Sequence, residues 1–126
     1  MNRVKLELEF LFKGSPSTLY KFFTEPARIV LWFCDEIDIS GDIYTFSWNG
    51  SEETALLIDD IEDERLRFQW LDAPVKGEYL EFRFITSEVT NETILEITDF
   101  CDADEVQDQR KLWMSQTAKL KIESGG

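Results

Sequence analysis

From residue 36 onward the hydrophobic period of this chain changes once, and that change limits what it can fold into. From residue 36 to about 100, apolar residues return at every second position: Tyr44, Phe46 and Trp48 alternate with Thr45 and Ser47, Leu66, Phe68 and Trp70 with Arg65, Arg67 and Gln69, and Leu80, Phe82 and Phe84 with Glu81 and Arg83. After Asp102 the spacing becomes three and four, through Val106, Gln109, Leu112, Trp113, Gln116 and Leu120. A period of two builds half-buried strands, and a period near 3.6 builds one face of a helix. An antiparallel sheet with one apolar face needs a cover, and the terminal helix is the only element long enough to supply it.

The segment before residue 36 fits the same scheme. Val4, Leu6, Leu8, Phe10 and Phe12 alternate with Lys5, Glu7 and Glu9, the clearest strand in the chain. Gly14 ends it. Ser15-Pro16 then supplies an N-cap and a proline at the first helical position, opening a short helix with Leu19, Phe22 and Phe23. Thr24-Glu25-Pro26 restarts a second short helix, expected to end near Asp35. Further on, Ser40-Gly41-Asp42 and Asn49-Gly50 mark tight turns, the latter the pair suited to a type I′ hairpin. Further strands are expected around 53–61 and 92–100, with the longest loop at 72–77 and the terminal helix over about 104–122. Carboxylates gather at the start of that helix and Lys119 and Lys121 at its end, as the helix dipole favours. The expectation is an α+β fold: a curved antiparallel sheet of six to seven strands around a long C-terminal helix, with two short helices after strand 1. It forms a single domain over 1–126, with 124–126 a flexible tail.

Composition removes several functions. With 26 acidic and 13 basic residues the net charge is −13, which offers no counterion release to a phosphate backbone, so no nucleic acid partner is expected. No histidine is present, which excludes His-based triads and imidazole metal sites. The acidic groups at Asp35 to Asp42, Asp59 to Glu64 and Asp99 to Glu105 lack the glycine-bearing calcium loop, so they are expected to be solvated and to bind no metal. The N-terminus lacks the apolar run of a signal peptide and no segment is long enough to insert in a membrane, so a cytoplasmic protein is expected. Cys34 and Cys101 are then reduced thiols, each with an acidic neighbour that disfavours the reactive thiolate.

Several residues together carry a resemblance. Phe23-Thr24-Glu25-Pro26 and Trp32-Phe33 lead to the run from Gly41 through Trp48-Asn49-Gly50 to Glu53, followed by Arg67-Phe68-Gln69-Trp70 and by Leu112-Trp113 in the last helix. This layout resembles the START-like, helix-grip domains of the SRPBCC superfamily. It is most similar to the branch related to activators of the heat-shock chaperone ATPase, and within it to small bacterial START-like proteins. The resemblance spans nearly the whole chain. It implies a cavity between sheet and helix in a superfamily of lipid carriers, hormone receptors, cyclases and chaperone cofactors. Geometry asks for the same space, unless the abundant aromatic side chains fill it, and both outcomes stay open.

The candidate ligand-binding residues are Trp32, Phe33, Tyr44, Phe46, Trp48, Phe68, Trp70, Phe82, Gln109, Leu112, Trp113 and Gln116. Gln109 and Gln116 lie on the stripe that faces the sheet. They are either polar anchors for a ligand in an apolar cavity or bond the sheet backbone or each other at the helix margins. The aromatic residues are either pocket walls or core. No catalytic constellation is found; a buried Asp99 near Cys101 is the enzyme candidate, and it is better read as chemistry of the helix start. The expected function is a non-catalytic binding module for a small apolar or amphipathic ligand, with no cofactor. The alternatives are a protein-interaction domain resembling the chaperone activators, acting through its acidic surface, and a cyclase-like enzyme. No oligomeric state follows from the sequence.

Overall fold

The computed structural model describes residues 2–126; Met1, the first residue of the expected domain, lies outside them. The chain runs β1 (Arg3–Phe12), α1 (Pro16–Thr24), α2 (Pro26–Ile29), β2 (Glu36–Ser40), β3 (Ile43–Trp48), β4 (Ser51–Ile61), β5 (Arg65–Trp70), β6 (Leu80–Thr86), β7 (Thr93–Asp102) and α3 (Val106–Ser124). Strands β2 to β7 form a meander of hairpins, and β1 pairs antiparallel with β7, giving the order β1-β7-β6-β5-β4-β3-β2. The expected α+β helix-grip architecture is present, with seven strands.

Register carries the alternating pattern across the sheet. Leu8 faces Ile97, Ile97 faces Phe82 and Phe82 faces Leu66, so one inward row crosses four strands. The outward parity is charged: Arg67 pairs with Glu81, whose carboxylate accepts from Arg67 and Arg83. At the turn between β3 and β4, Asn49 and Gly50 both take positive φ, 48° and 84°, as a type I′ hairpin requires. A bulge between Leu57 and Asp59 leaves Ile58 unpaired and switches the parity of β4. Asp60 then stands opposite the inward Leu66 and accepts the Tyr20 hydroxyl from α1.

Ser15 caps α1 through its Oγ, which accepts from the Thr18 N–H at 3.2 Å. Glu25 both ends α1 and precedes α2. The second helix is shorter than expected. It is a single turn ending at Ile29, and residues 30–33 continue as turns that bury Trp32 and Phe33. At the far end, α3 starts after a 3-10 turn at Ala103–Glu105 and extends to Ser124. At the end of the chain, Gly125 caps α3 at φ 92°, and the Gly126 carbonyl accepts the Lys13 N–H at 3.0 Å.

The core sits between the concave face and α3. Phe23, Phe33, Phe46, Phe68 and Phe82 are all buried and pack ring against ring, tilted at 4.6 Å for Phe23–Phe82 and edge-on at 5.0 Å for Phe33–Phe46. Aromatic packing of this kind fills most of the interior. What remains at its centre is a void of about 20 Å³ lined only by apolar side chains, near the size of one water.

Candidate functional site

At one end of the sheet the filling stops. Here β3, β5 and β7 end and β1, β4 and β6 begin, and the segment after α2 and the inner face of α3 close over them. Between them lies an open cleft of about 820 Å³. Its walls include eight of the residues expected from sequence: Trp32, Phe33, Trp48, Trp70, Gln109, Leu112, Trp113 and Gln116. The other four are elsewhere. Phe46, Phe68 and Phe82 line the small central void, and Tyr44 is core.

Trp113 is 3% exposed, turned inward from α3, and stacks over Phe33 at 6.2 Å while meeting Phe82 edge-on at 5.8 Å. Its indole N–H donates to Asp99 Oδ2 at 2.9 Å, and Gln109 Nε2 donates to the same oxygen at 2.8 Å. Asp99 Oδ1 accepts its neighbour's N–H, from Phe100, at 2.8 Å. The carboxylate is thus buried but fully engaged, and it ties β7 to α3. Asp99 lies on the inward parity of β7, between Ile97 and Cys101, and that polar interruption of an apolar row is the signal that marks it. Its role joins strand to helix rather than merely starting the helix.

Gln116 Nε2 donates to the Phe33 carbonyl at 3.3 Å, and Trp48 Nε1 donates to the same carbonyl at 2.6 Å. Both glutamines therefore serve protein groups through their amide nitrogens. Leu112 departs from the expectation that the whole stripe is buried: it is 48% exposed at the cleft margin. Successive helix residues are rotated by about 100°, so with Trp113 aimed at the core its predecessor must point aside. Thr117 takes the buried place one turn on, its hydroxyl donating to the Trp113 carbonyl at 2.7 Å.

Charged groups surround the aromatic walls. Arg3 donates to Glu78 at 2.6 Å and to Asp102 at 2.9 Å; these hydrogen bonds push the guanidinium's pKa up, and that from Arg3 holds the Asp102 carboxyl below its usual range. Cys34 lines the cleft, and burial, aided by Asp35, pushes its thiol up to about 11. Cys101 is shifted up as well, chiefly by burial. Both cysteines are free thiols. Among the described residues, Asp102, Asp104 and Glu105 are the carboxylates close enough to share a cation, within 4.8 Å, but two are exposed and the third is engaged by Arg3. No described helix is long and apolar enough to cross a membrane.

A bent antiparallel sheet gripping one long helix, with an aromatic cleft left between them, defines the helix-grip class of binding folds. The chain belongs to the START-like superfamily: the model of the START-like superfamily domain matches residues 1–125. A Bacteroides fragilis protein solved in solution is 31% identical over 97% of this chain and 91% of its own, with a TM-score of 0.69. The Aha1 dimer from Colwellia psychrerythraea is 20% identical, covering 94% and 93% of the two chains, with a TM-score of 0.81. A crystal structure from Staphylococcus saprophyticus is 16% identical, covering 94% and 90%, with a TM-score of 0.77. Among proteins of curated function no sequence matches. Members of this superfamily bind ligands or act as small binding modules.

Proposed function

We propose that this protein is a non-catalytic binding module that takes a small apolar or amphipathic molecule into the cleft between the sheet and α3. The observation that carries the reading is the 820 Å³ cleft with Trp48, Trp70 and Trp113 in its walls, a volume within the range that holds small ligands. Gln109 and Gln116 support it. Each uses its amide nitrogen on a protein group, which leaves the amide oxygen as an acceptor at the cleft wall. Catalysis has less support: the tyrosines with raised pKa, Tyr20 and Tyr44, lie outside the cleft lining, and both thiols within it, Cys34 and Cys101, are pushed up by burial. Native mass spectrometry on protein purified from its source tests the reading. A bound small molecule, displaced when the cleft is narrowed by Ser115→Trp, is expected; absence of any bound species and of any binding from an apolar fragment library contradicts it.

A second reading rests on charge and similarity. The net charge of −13 and a fold like that of the Colwellia Aha1 structure fit a domain that meets a basic protein surface, as chaperone activators act through protein contacts. A pull-down at low and high salt checks it. Capture of a partner that fades as the Debye length shrinks supports this reading, and an eluate empty at both salts removes it.

A further inference from the structure

We infer that the cleft selects molecules that join an apolar body to a positively charged group. This rests on the cleft being a ligand site, and it specifies the chemistry of the occupant.

The argument begins with parity. On β3 and β4, Phe46 stands directly opposite Glu53, and residues paired across an antiparallel ladder project to the same side. Phe46 is core, so Glu53 is on the concave face, where an apolar residue is the rule. Register places it two positions from Ser51, the partner of Trp48, and two from Ala55, the partner of Trp70. A carboxylate therefore sits among tryptophans in the lining of the cleft. Asp72 follows Trp70 beyond the end of β5, and Asp35 precedes β2; both also line the cleft.

The charges do not cancel. Six carboxylates line the cleft, those of Asp35, Glu53, Asp72, Glu78, Asp99 and Glu105, against the two cations Arg3 and Lys119. Arg3 is committed to Glu78 and Asp102, and Asp99 is satisfied by Gln109 and Trp113. Among the described residues no ion pair reaches Asp35, Glu53 or Asp72, although Asp35 Oδ2 accepts the Asn49 N–H at 2.8 Å. In a cleft with low-dielectric walls, unpaired charges of one sign focus a field that repels anions and gathers cations. Indole faces add attraction to the same sign of charge through their ring quadrupoles. An organic ammonium attached to an apolar body satisfies both features; a fatty acid or other anionic amphiphile satisfies neither.

Three probes with one body separate the terms: naphthylmethylamine, naphthalenemethanol and naphthoate, titrated at physiological ionic strength with tryptophan fluorescence and amide NMR as readouts. The amine is expected to bind about tenfold more tightly than the alcohol, and the naphthoate more weakly than either. Glu53→Gln should reduce the amine's advantage over the alcohol to about twofold to threefold while the alcohol's affinity holds. Glu88→Gln removes the same charge from the exposed hairpin at the other end of the sheet, and should leave the ratio intact. Asp72→Asn, on the loop side of the cleft, should narrow it like Glu53→Gln. An alcohol that binds as tightly as the amine overturns the charge selection but leaves the cleft reading standing. Equal narrowing by Glu88→Gln overturns it too, since attraction would then come from the whole acidic surface. Binding of none of the probes sinks the cleft reading and this inference together.

Discussion

Trp113 of α3 and Asp99 of β7 are joined by a hydrogen bond of 2.9 Å from the indole N–H to Oδ2, and both residues are buried. That bond fixes the helix against the end of the sheet at the wall of the cleft. Asp99→Ala leaves the indole N–H of Trp113 and the amide of Gln109 without their acceptor, and is expected to cost about 2–3 kcal/mol in urea denaturation. In a cycle with Trp113→Phe, the coupling between the two should be about 1–2 kcal/mol. Additive effects would show that the bond contributes nothing beyond packing.

Gln109 and Gln116 should behave differently when replaced by leucine. Gln116 bonds a single backbone carbonyl at 3.3 Å and is half-buried, so Gln116→Leu should cost less than about 1 kcal/mol and act mainly on ligand uptake. Gln109→Leu withdraws a donor from buried Asp99 and should destabilise the fold by about 1–2 kcal/mol. Thermal melts of the two variants make the comparison.

On the convex face, Glu96 of β7 stands directly opposite Glu9 of β1. Burial first, then repulsion from Glu9, raises the Glu96 pKa, with Arg83 acting the other way. An acid whose folded pKa lies above its unfolded value favours the folded state when protonated, and this contribution is lost as pH rises through the folded pKa. Glu96→Gln should therefore stabilise the protein at neutral pH by about 0.5–1 kcal/mol, the scale of a like-charge pair across two strands. The gain should shrink toward zero near about pH 4, where the native carboxyl is itself protonated. Urea midpoints at the two pH values decide it, and a gain that does not vary with pH would contradict the assignment.

The thiols give a fourth test. With Cys34 pushed up to about 11 and buried, its thiolate is scarce in the native protein. Labelling by Ellman's reagent at mildly alkaline pH should run at least about a hundredfold slower in native than in urea-unfolded protein. Rapid labelling of one thiol in the native state that is lost in Cys34→Ser would contradict the burial and raised pKa of Cys34.

Much of this was legible in the sequence, because period and turn chemistry are local. The alternation of Tyr44, Phe46 and Trp48, the Ser15-Pro16 start and the Asn49-Gly50 turn each report their own backbone, and all three hold. The change of period before α3 placed the helix and turned Trp113 inward. The misses are of another kind. Leu112, expected on the buried stripe, is 48% exposed and Thr117, not singled out from sequence, is buried, because burial follows the angle set by Trp113 and not hydropathy. Phe46, Phe68 and Phe82 share the strand parity of Trp48 and Trp70, and only distance from the sheet end separates void from cleft. Asp99 was visible as a buried carboxylate, whereas the side taken by Glu53 follows only from its pairing with Phe46, and that Asp99 finds donors depends on α3, far along the chain.

The central claim is that a small apolar body enters the cleft, and the four tryptophan indole N–H signals offer the most direct measurement of it. Of the four, Trp32 and Trp48 donate to backbone carbonyls and Trp113 to Asp99, so each reports a defined place in the cleft wall. Titrating isotope-labelled protein with the neutral naphthalenemethanol should shift the signals of Trp48, Trp70 and Trp113 along a saturable curve, with the outward strand amides of Glu7, Glu9 and Arg83 unmoved. Saturation confined to the convex face, or no shift at the limit of the probe's solubility, would contradict the account.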